Sequence, residues 1–341
     1  MFVNSLLTCI PLIGSIRFAV MIVVTGAAGF IGSCMIQKLN SHGFKDVIAV
    51  DHFQNTLKNR NLIGKEIRER INRDEFLEWL DRNNRHVEFI FHLGARTDTT
   101  ESDLTLLKRL NTDYSKRVWE RCISYQIPLI YASSAATYGL GTYGYEDNEN
   151  QLVQFRPLNP YGQSKHDFDL WAVSQDDKPF YWCGLKFFNV YGPNEYHKGR
   201  MASVVYHSFR QISDTNCMCL FKSHHPDFKD GEQKRDFIYI KDLINVLYWL
   251  MHHRKDCGIY NLGTGKAETF LELTESVFAV MGKELNISYI DTPEDIRDKY
   301  QYFTEASIGK LRSIGYKAPF VSLKEGIQDY IEHYLANNTY Y

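Results

Sequence analysis

The chain has 341 residues, 44% of them hydrophobic and 23% charged, and its formal net charge is −2. Such values are typical of a globular protein that is long enough to bury a large core. The nearly balanced charge argues against a nucleic-acid-binding surface and against an acidic, solvating tail.

The first 20 residues are apolar, but Pro11, Gly14 and Arg17 interrupt the run. The run is too short and broken to span a bilayer, and it lacks the basic start and the cleavage site of a secretory signal. We interpret residues 1–20 as an N-terminal extension of a cytoplasmic protein with no membrane segment. Seven scattered cysteines form no zinc-type pair, which predicts reduced thiols and no metal site. The histidine doublets at 224–225 and 252–253 are interpreted as surface residues.

From Met21 onward, short apolar runs alternate with segments of helical periodicity. The runs MIVVTG, DVIAVD, VEFIFHLGA, IPLIYASS and WCGLKFFNVYG are predicted strands, with predicted helices over 30–43, 75–84, 107–126 and 161–175 between them. Repeated strand–helix–strand order means right-handed crossovers and a parallel sheet. The fold class is therefore α/β, a Rossmann doubly wound parallel sheet.

After Gly192 the alternation weakens. We predict a strand in RDFIYI, a helix in KDLINVLYWLMHH, strands in GIYNLGTG and ISYI, and a last helix near 322–336. We assign residues 21–188, with returns near 236–267, to an NAD(P)-binding Rossmann domain. Residues 189–235 and 268–341 are assigned to a smaller, interleaved α/β substrate domain.

A glycine-rich turn, TGAAGFIG, joins the first predicted strand to the first helix. Gly26, Gly29 and Gly32 would let the backbone approach a pyrophosphate at the helix N-terminus. Asp51 ends the second strand, where an acidic residue binds a ribose diol and favours NAD. Lys58 and Arg73 follow and could instead meet a 2′-phosphate, so charge alone leaves NAD and NADP equally open.

A serine, a tyrosine and a lysine follow the fifth strand in order. Ser134 ends YASS, and Tyr161 and Lys165 are four residues apart on the next helix, one turn from each other. Tyrosine is a poor base at neutral pH, but a neighbouring ammonium would lower its pKa. The three residues thus predict an acid–base site at the carboxyl edge of the sheet.

Several motifs together are typical of one superfamily. The chain carries TGAAGFIG, HLGA, LNTDYSK with Asn111, SSAATYG, Tyr161-x-x-x-Lys165, FFNVYGP and RDFIYIKD. From Met21 to near its C-terminus it resembles the extended short-chain dehydrogenase/reductases, most of which act on nucleotide-activated sugars. Their dehydratases carry Thr-Asp-Glu where this chain has Ser134-Ala135-Ala136, so the acid and base for eliminating water are absent.

Within that superfamily, the stretch FFNVYGPNEYHKGRMASVVYH is similar to the ADP-heptose 6-epimerase family, as are HLGARTDTTE, KRDFIYIKD, NLGTGKAETF and DKYQYFTEAS. The resemblance implies NADP, with NAD as the alternative, and an ADP-linked heptose substrate of lipopolysaccharide inner-core synthesis. It also implies a homo-oligomer, with a pentamer as the expected assembly.

The resemblance also implies roles for individual residues. The catalytic residues would be Tyr161, Lys165, Ser134 and Lys198, the last as a second base. The cofactor residues would be Gly26, Gly29, Phe30, Ile31, Gly32, Asp51, His52, Lys58, Arg73, Leu93, Gly94, Ala95, Arg96, Thr97, Asn111, Lys165 and Val190. The substrate residues would be Ser134, Asn189, Arg200, His207, Phe221, Arg235 and Tyr300, with Phe221 beginning a nucleotide-contact strand. His52, Arg73 and Arg200 depart from the residues usual in that family, and the segment 222–233 is longer than usual.

The expected reaction is a redox-neutral inversion at C6 of the heptose through a 6-keto intermediate. A C4 epimerase of a UDP-hexose would keep Tyr161 and Lys165 but would not need Lys198. A non-catalytic dinucleotide-binding sensor could lose the Ser134, Tyr161 and Lys165 set, which this chain retains.

Overall fold

A computed structural model describes residues 20–297 and 300–341 of the chain. The predicted N-terminal extension lies outside the described residues except for Val20, which is exposed. The helices are α1 Phe30–Ser41, α2 Thr56–Asn59, α3 Phe76–Asn83, α4 Leu104–Leu107, α5 Tyr114–Ser124, α6 Pro160–Ser174, α7 Val204–Thr215, α8 Ile240–His252, α9 Phe270–Val280, α10 Glu294–Arg297, α11 Gly309–Ser313 and α12 Leu323–Tyr330.

Twelve strands form three sheets across the described ranges. They are β1 Met21–Thr25, β2 Val47–Asp51, β3 Glu69–Asn72, β4 Val87–His92, β5 Leu129–Ser134, β6 Trp182–Phe187, β7 Asn189–Tyr191, β8 Met218–Phe221, β9 Lys234–Tyr239, β10 Gly258–Leu262, β11 Ala267–Thr269 and β12 Ile287–Ile290.

The central sheet has seven parallel strands in the order β10-β6-β5-β4-β1-β2-β3, as predicted for a Rossmann fold. The strand order reverses between β1 and β4, which is where such sheets open a crevice for a ligand. A second sheet, β11-β9-β7, and a β12-β8 pair follow outside it. The crevice therefore opens at the ends of β1 and β4, beside the glycine turn.

Two apolar clusters cover the two faces of the central sheet. The first joins α1 and α8 with residues of α9 and α12, including Leu39, Leu247, Val277 and Ile327. The second packs α3, α5 and α6 against the other face around Trp119. Parallel strands buried on both faces explain the nearly unbroken apolar runs of β1, β2 and β5.

Four predictions about elements differ from the structure. The run WCGLKFFNVYG is not one strand: β6 lies in the central sheet, and β7, after Phe188, pairs with β9 in the second sheet. The predicted helix 107–126 contains a π-helical segment, Lys108–Asp113, and the last helix ends in another, Ile331–Leu335. Phe221 ends β8 rather than beginning a strand.

The surface position of the histidine doublets and the free thiols are as predicted in the part of the chain that the structure describes. Both histidine doublets are exposed. The cysteines from Cys34 to Cys257 are free thiols. No described helix is both long enough and apolar enough to cross a membrane.

Candidate active site

The glycine turn between β1 and α1 brings two backbone segments into close contact. Gly26 has φ +66°, and a Cβ there would lie 2.7 Å from Cα of Gly94 after β4. A Cβ on Gly32 would collide with the carbonyl oxygen of Gly26. No side chain caps α1 at Gly29, so the first N–H groups of the helix are available to an anion.

A groove of about 440 Å³ opens beside this turn. Its lining includes these predicted residues: Gly26, Gly29, Phe30, Ile31, Gly32, Asp51, His52, Lys58, Arg73, Leu93, Gly94, Ala95, Arg96, Thr97 and Lys198. It also includes residues that the sequence analysis missed, among them Asn55, Tyr114, His197 and Met201. The structure thus collects most of the predicted cofactor residues in one groove.

Asp51 lies at one end of this groove, where both of its carboxylate oxygens are hydrogen-bonded. Its two oxygens accept the backbone N–H groups of Ala28 at 2.9 Å and His52 at 2.7 Å. Lys58 Nζ is 2.6 Å from Asp51 Oδ1 and neutralises the carboxylate. Arg73 also lines the groove, and its Nε forms an ion pair with Asp74 Oδ1 at 3.4 Å. This end therefore carries two cations, each of them beside a carboxylate.

The serine, tyrosine and lysine lie where β5 and α6 meet. Asn159 caps α6 by accepting the N–H of Gly162 at 2.8 Å, so the helix begins at Pro160 and carries Tyr161 in its first turn. Burial raises the pKa of Tyr161, and the hydroxyl of Ser134, at the end of β5, opposes that shift. Lys165 is buried, and its Nζ donates to the carbonyl of Ala132 at 2.9 Å.

The expected electrostatic effect of Lys165 on Tyr161 is not found. Burial is the largest influence on Tyr161 and raises its pKa above the ordinary value. Burial also lowers the pKa of Lys165 to about 8, against the charge of Asp169, which raises it. The physical reason is that desolvation penalises both charged forms, while the ammonium is directed at the Ala132 carbonyl.

Two further predicted cofactor residues, Asn111 and Val190, are not in the lining of the groove. Asn111, in the π segment before α5, is buried and bonds Ser164 Oγ at 2.9 Å and the backbone of Arg96 at 2.8 and 3.0 Å. It therefore joins the Arg96 side of the groove to the helix that carries Lys165. Val190 is half-buried on β7 and packs against the core.

Lys198 is presented by the loop between β7 and α7. Its ammonium lies 5.5 Å from the ring centre of Phe30, over the glycine turn. Burial lowers the pKa of Lys198, and the charge of Glu195 opposes that shift. Glu195 is fully buried and closes the base of the loop, since its carboxylate accepts from Gly192 N–H and from both N–H and Oγ of Ser203.

The predicted substrate residues divide into two groups. Arg235, Tyr300 and Phe221 come together: the guanidinium of Arg235 lies 5.5 Å from the Tyr300 ring, and the Phe221 and Tyr300 rings are 6.1 Å apart. Arg200 is exposed and hydrogen-bonds Thr100 across the groove mouth rather than joining that cluster. Asn189 is exposed on β7, and His207 is half-buried on α7 beside Tyr206.

The profile of the NAD dependent epimerase/dehydratase family matches residues 22–263 of the chain. The chain is 45% identical over 331 residues to an ADP-L-glycero-D-manno-heptose-6-epimerase of Fusobacterium nucleatum, covering 94% of this chain and 100% of that protein.

The chain belongs to the NAD dependent epimerase/dehydratase family.

Solved structures of the family agree with the fold. The ADP-L-glycero-D-manno-heptose-6-epimerase of Helicobacter pylori is similar at a TM-score of 0.77 and 30% identity, covering 92% of this chain and 95% of that one. A Thermus thermophilus UDP-glucose 4-epimerase in complex with NAD is similar at a TM-score of 0.75 and 26% identity, covering 92% and 98%. The protein is an epimerase with a nicotinamide dinucleotide cofactor. The close-packed glycine turn, the uncapped start of α1 and the groove beside them fit that group.

Two residues beneath the site were missed in the sequence although each left a signal there. Asp169 follows Lys165 by four residues, in the same helical stripe as Tyr161. Lys186 is a lone charge in the middle of the apolar strand β6. Both are completely buried, and their ammonium and carboxylate groups are 2.6 Å apart.

Proposed function

We propose that this epimerase inverts C6 of the heptose in ADP-D-glycero-β-D-manno-heptose, giving ADP-L-glycero-β-D-manno-heptose for lipopolysaccharide inner-core synthesis. The observation that carries the proposal is a pair of separate acid–base candidates, Tyr161 beside Ser134 and Lys198 over the glycine turn. The 45% identity to a protein named for this reaction supports the same substrate.

In the first step, Tyr161 as phenolate takes the proton of the C6 hydroxyl, which Ser134 orients by a hydrogen bond. A nicotinamide dinucleotide held by the glycine turn and the groove beside it would supply the hydride chemistry at C6. We propose that the Lys165 ammonium, which donates to the Ala132 carbonyl in this structure, stabilises the negative charge when Tyr161 has lost its proton. The substrate is then a ketone that is planar at C6, so its former configuration is lost.

In the second step, the other face of the ketone is reduced. Because C6 lies outside the sugar ring, rotation about the C5–C6 bond turns that face toward the side on which the cofactor would lie. Lys198 gives a proton to the carbonyl oxygen when the ketone is reduced. One turnover leaves Tyr161 protonated and Lys198 neutral, and proton exchange with water resets both groups. Electrons balance, so no external reductant is consumed.

The decisive experiment is incubation of the purified protein with ADP-D-glycero-β-D-manno-heptose, with the C6 configuration followed by NMR. We expect conversion toward an equilibrium mixture without added reductant. UDP-galactose is tested in parallel, because a C4 epimerase of hexoses would act on it instead. Folded, cofactor-containing protein that converts neither compound would support the non-catalytic sensor.

The two-base assignment predicts that Tyr161→Phe and Lys198→Met each lower kcat by roughly 10²–10⁴-fold while cofactor content is kept, since each removes one proton-transfer group. Turnover is measured by the same NMR assay, and bound nucleotide after denaturation. Lys178→Met, at an exposed lysine after α6, is the control and is expected to be fully active. Normal turnover by the Lys198→Met variant would contradict the two-base assignment and leave Tyr161 as the single acid–base residue.

We further propose NADP as the cofactor. The support is the presence of two cations at the Asp51 end of the groove: Lys58, which is paired with Asp51, and Arg73, whose Nε is 3.4 Å from the exposed carboxylate of Asp74. A 2′-phosphate fits two cations better than a ribose diol does.

Mass spectrometry of the nucleotide released on denaturation tests this proposal. We expect NADP from the wild-type protein, and a lower NADP to NAD ratio from Lys58→Ala and Arg73→Ala. Arg70→Ala, at an exposed arginine on β3, is the matched control and is expected to release NADP. Release of NAD by the wild-type protein would overturn the assignment.

A further inference from the structure

A completely buried ion pair lies directly behind the proposed acid–base residues. Tyr161, Lys165 and Asp169 are spaced by four residues and share one face of α6. Asp169 Oδ2 is 2.6 Å from Nζ of Lys186, which lies on β6 of the central sheet. Neither side chain is exposed to solvent.

Every strong polar group of this pair is satisfied by β5 and the turn after it. Asp169 accepts from Ser133 Oγ at 2.6 Å and from Tyr131 OH at 3.0 Å. Lys186 also donates to Thr137 Oγ1 at 2.7 Å, and its ammonium lies 5.2 Å from the Tyr138 ring centre. The pair therefore ties α6, β5 and β6 together at one point.

Residues on both sides of Ser134 in the sequence contact this ion pair. Ser133 precedes Ser134, and Thr137 donates to the carbonyl of Ser134 at 2.8 Å. Lys165 Nζ bonds the carbonyl of Ala132 on the same strand. Three consecutive residues of β5, from Tyr131 to Ser133, thus contact Asp169 or Lys165. Any movement of α6 along β5 would break these bonds.

Stability alone does not explain such a pair. Desolvation of two buried charges offsets most of their attraction, and apolar residues of similar volume are often neutral or stabilising replacements. We propose that Asp169 and Lys186 are positioning residues, which fix the Tyr161–Lys165 face of α6 against the Ser134 end of β5 and set the electric field at that face. The inference rests on the proposed function for its kinetic consequences only.

The charges that face Lys165 are few in the described structure. Asp169 lies one turn along α6 and raises the pKa of Lys165. His92 on β4 is neutral near pH 7, because burial lowers its pKa to about 3, with Lys165 adding to the effect. Lys186 on β6 is bound to Asp169, while Ser134 on β5 and Tyr161 contribute hydroxyl groups. Loss of the Asp169 charge therefore leaves Lys165 without a neighbouring anion.

The test replaces both partners, Asp169→Asn with Lys186→Met, so that no unpaired charge remains buried. We expect a folded protein with wild-type cofactor content, kcat lower by about tenfold or more and KM nearly unchanged. The basic limb of the pH–rate profile should move to lower pH by about 1 unit. Lys241→Met with Asp329→Asn, a half-buried pair on α8 and α12, is the matched control and is expected to change neither.

A second readout needs no substrate. In protein labelled with ¹³Cε-lysine, the Lys165 signal is assigned by its loss in Lys165→Arg, and its shift is titrated. The titration midpoint of Lys165 should fall in the double variant. It should stay near the wild-type value in Asp169→Glu, which keeps the charge. The Asp169→Glu variant also serves if the double variant does not fold. An unchanged midpoint and kcat in a folded double variant would overturn the inference. Inactive wild-type protein with a shifted midpoint in the double variant would contradict the proposed function alone.

Discussion

His92 ends β4 beneath the glycine turn, and both of its ring nitrogens are hydrogen-bonded. Nδ1 is 2.8 Å from Thr25 Oγ1 and Nε2 is 2.9 Å from Ser115 Oγ. Burial lowers the pKa of His92 to about 3. The imidazole is therefore neutral in the folded protein across the whole range in which the unfolded chain takes up a proton.

This difference predicts a loss of stability in mild acid. Below about pH 6.5 the unfolded state binds a proton that the folded state refuses until about pH 3, so the free energy of unfolding falls as pH falls. Between pH 7 and pH 5 the loss from this one group is roughly 2 kcal/mol. Urea unfolding at pH 5, 6 and 7 measures it. His92→Gln, which does not titrate, should be less stable at pH 7 but should have a weaker pH dependence. His42→Gln, at an exposed histidine, should keep the wild-type slope.

At the scale of single residues, some features of the site could be predicted from the sequence and others could not. The Tyr161, Lys165 and Ser134 set could be predicted because its spacing is local to one helix and one strand end. The effect of burial on the Tyr161 pKa could not, because it depends on what packs around α6 in three dimensions. Asp169 and Lys186 could have been suspected from their positions, but only the fold shows that they meet.

At the scale of elements, the turn between β1 and α1 has little room for a larger residue. Gly32→Ala would place a methyl group against the carbonyl oxygen of Gly26, with backbone rather than a flexible side chain as the obstacle. We expect destabilisation of about 1–3 kcal/mol and loss of bound nucleotide, because α1 must move away from β1. Thermal unfolding and nucleotide content measure the two effects.

Gly309→Ala is the control for this prediction. Gly309 begins α11, and a Cβ there would meet no atom within 4 Å. Alanine should be neutral or stabilising by up to about 1 kcal/mol, since it favours helix and restricts the unfolded chain. Equal stability and equal nucleotide content of the Gly32 and Gly309 variants would mean that the contact of Gly32 with the Gly26 carbonyl does not restrict the turn.

Most elements could be predicted from periodicity, and the departures have tertiary causes. The β6–β7 break at Phe188 separates two strands that pair in different sheets, a choice made by β10 and β9 rather than by the local sequence. The π segment before α5 holds Asn111, whose partners Ser164 and Arg96 come from elsewhere in the chain. Apolar patterns carry neither kind of information.

At the scale of the molecule, the two predicted domains share one hydrophobic core. The cluster that covers α1 also contains residues of α9 and α12, from the predicted substrate domain. Asn194 Nδ2, from the predicted substrate domain, donates to Ser33 Oγ at 2.9 Å, and Asn61 Nδ2 donates to the carbonyl of Asn194 at 2.9 Å. The boundaries at 188, 236 and 267 stay predictions, but these contacts suggest that neither part is stable alone.

We therefore expect the chain to unfold as one cooperative unit. Residues 21–188 alone lack β10, which pairs with β6, and α8, which covers α1, so a large apolar face and a strand edge would be exposed. In the full chain, calorimetry should give one transition, and NADP at 100 times its dissociation constant should stabilise the whole of it by about 2.7 kcal/mol. Two transitions, of which only the first responds to NADP, would instead mean independent domains. Native-like near-ultraviolet circular dichroism from the 21–188 fragment would mean the same, because the aromatic packing of the Rossmann part would then form without the later segments.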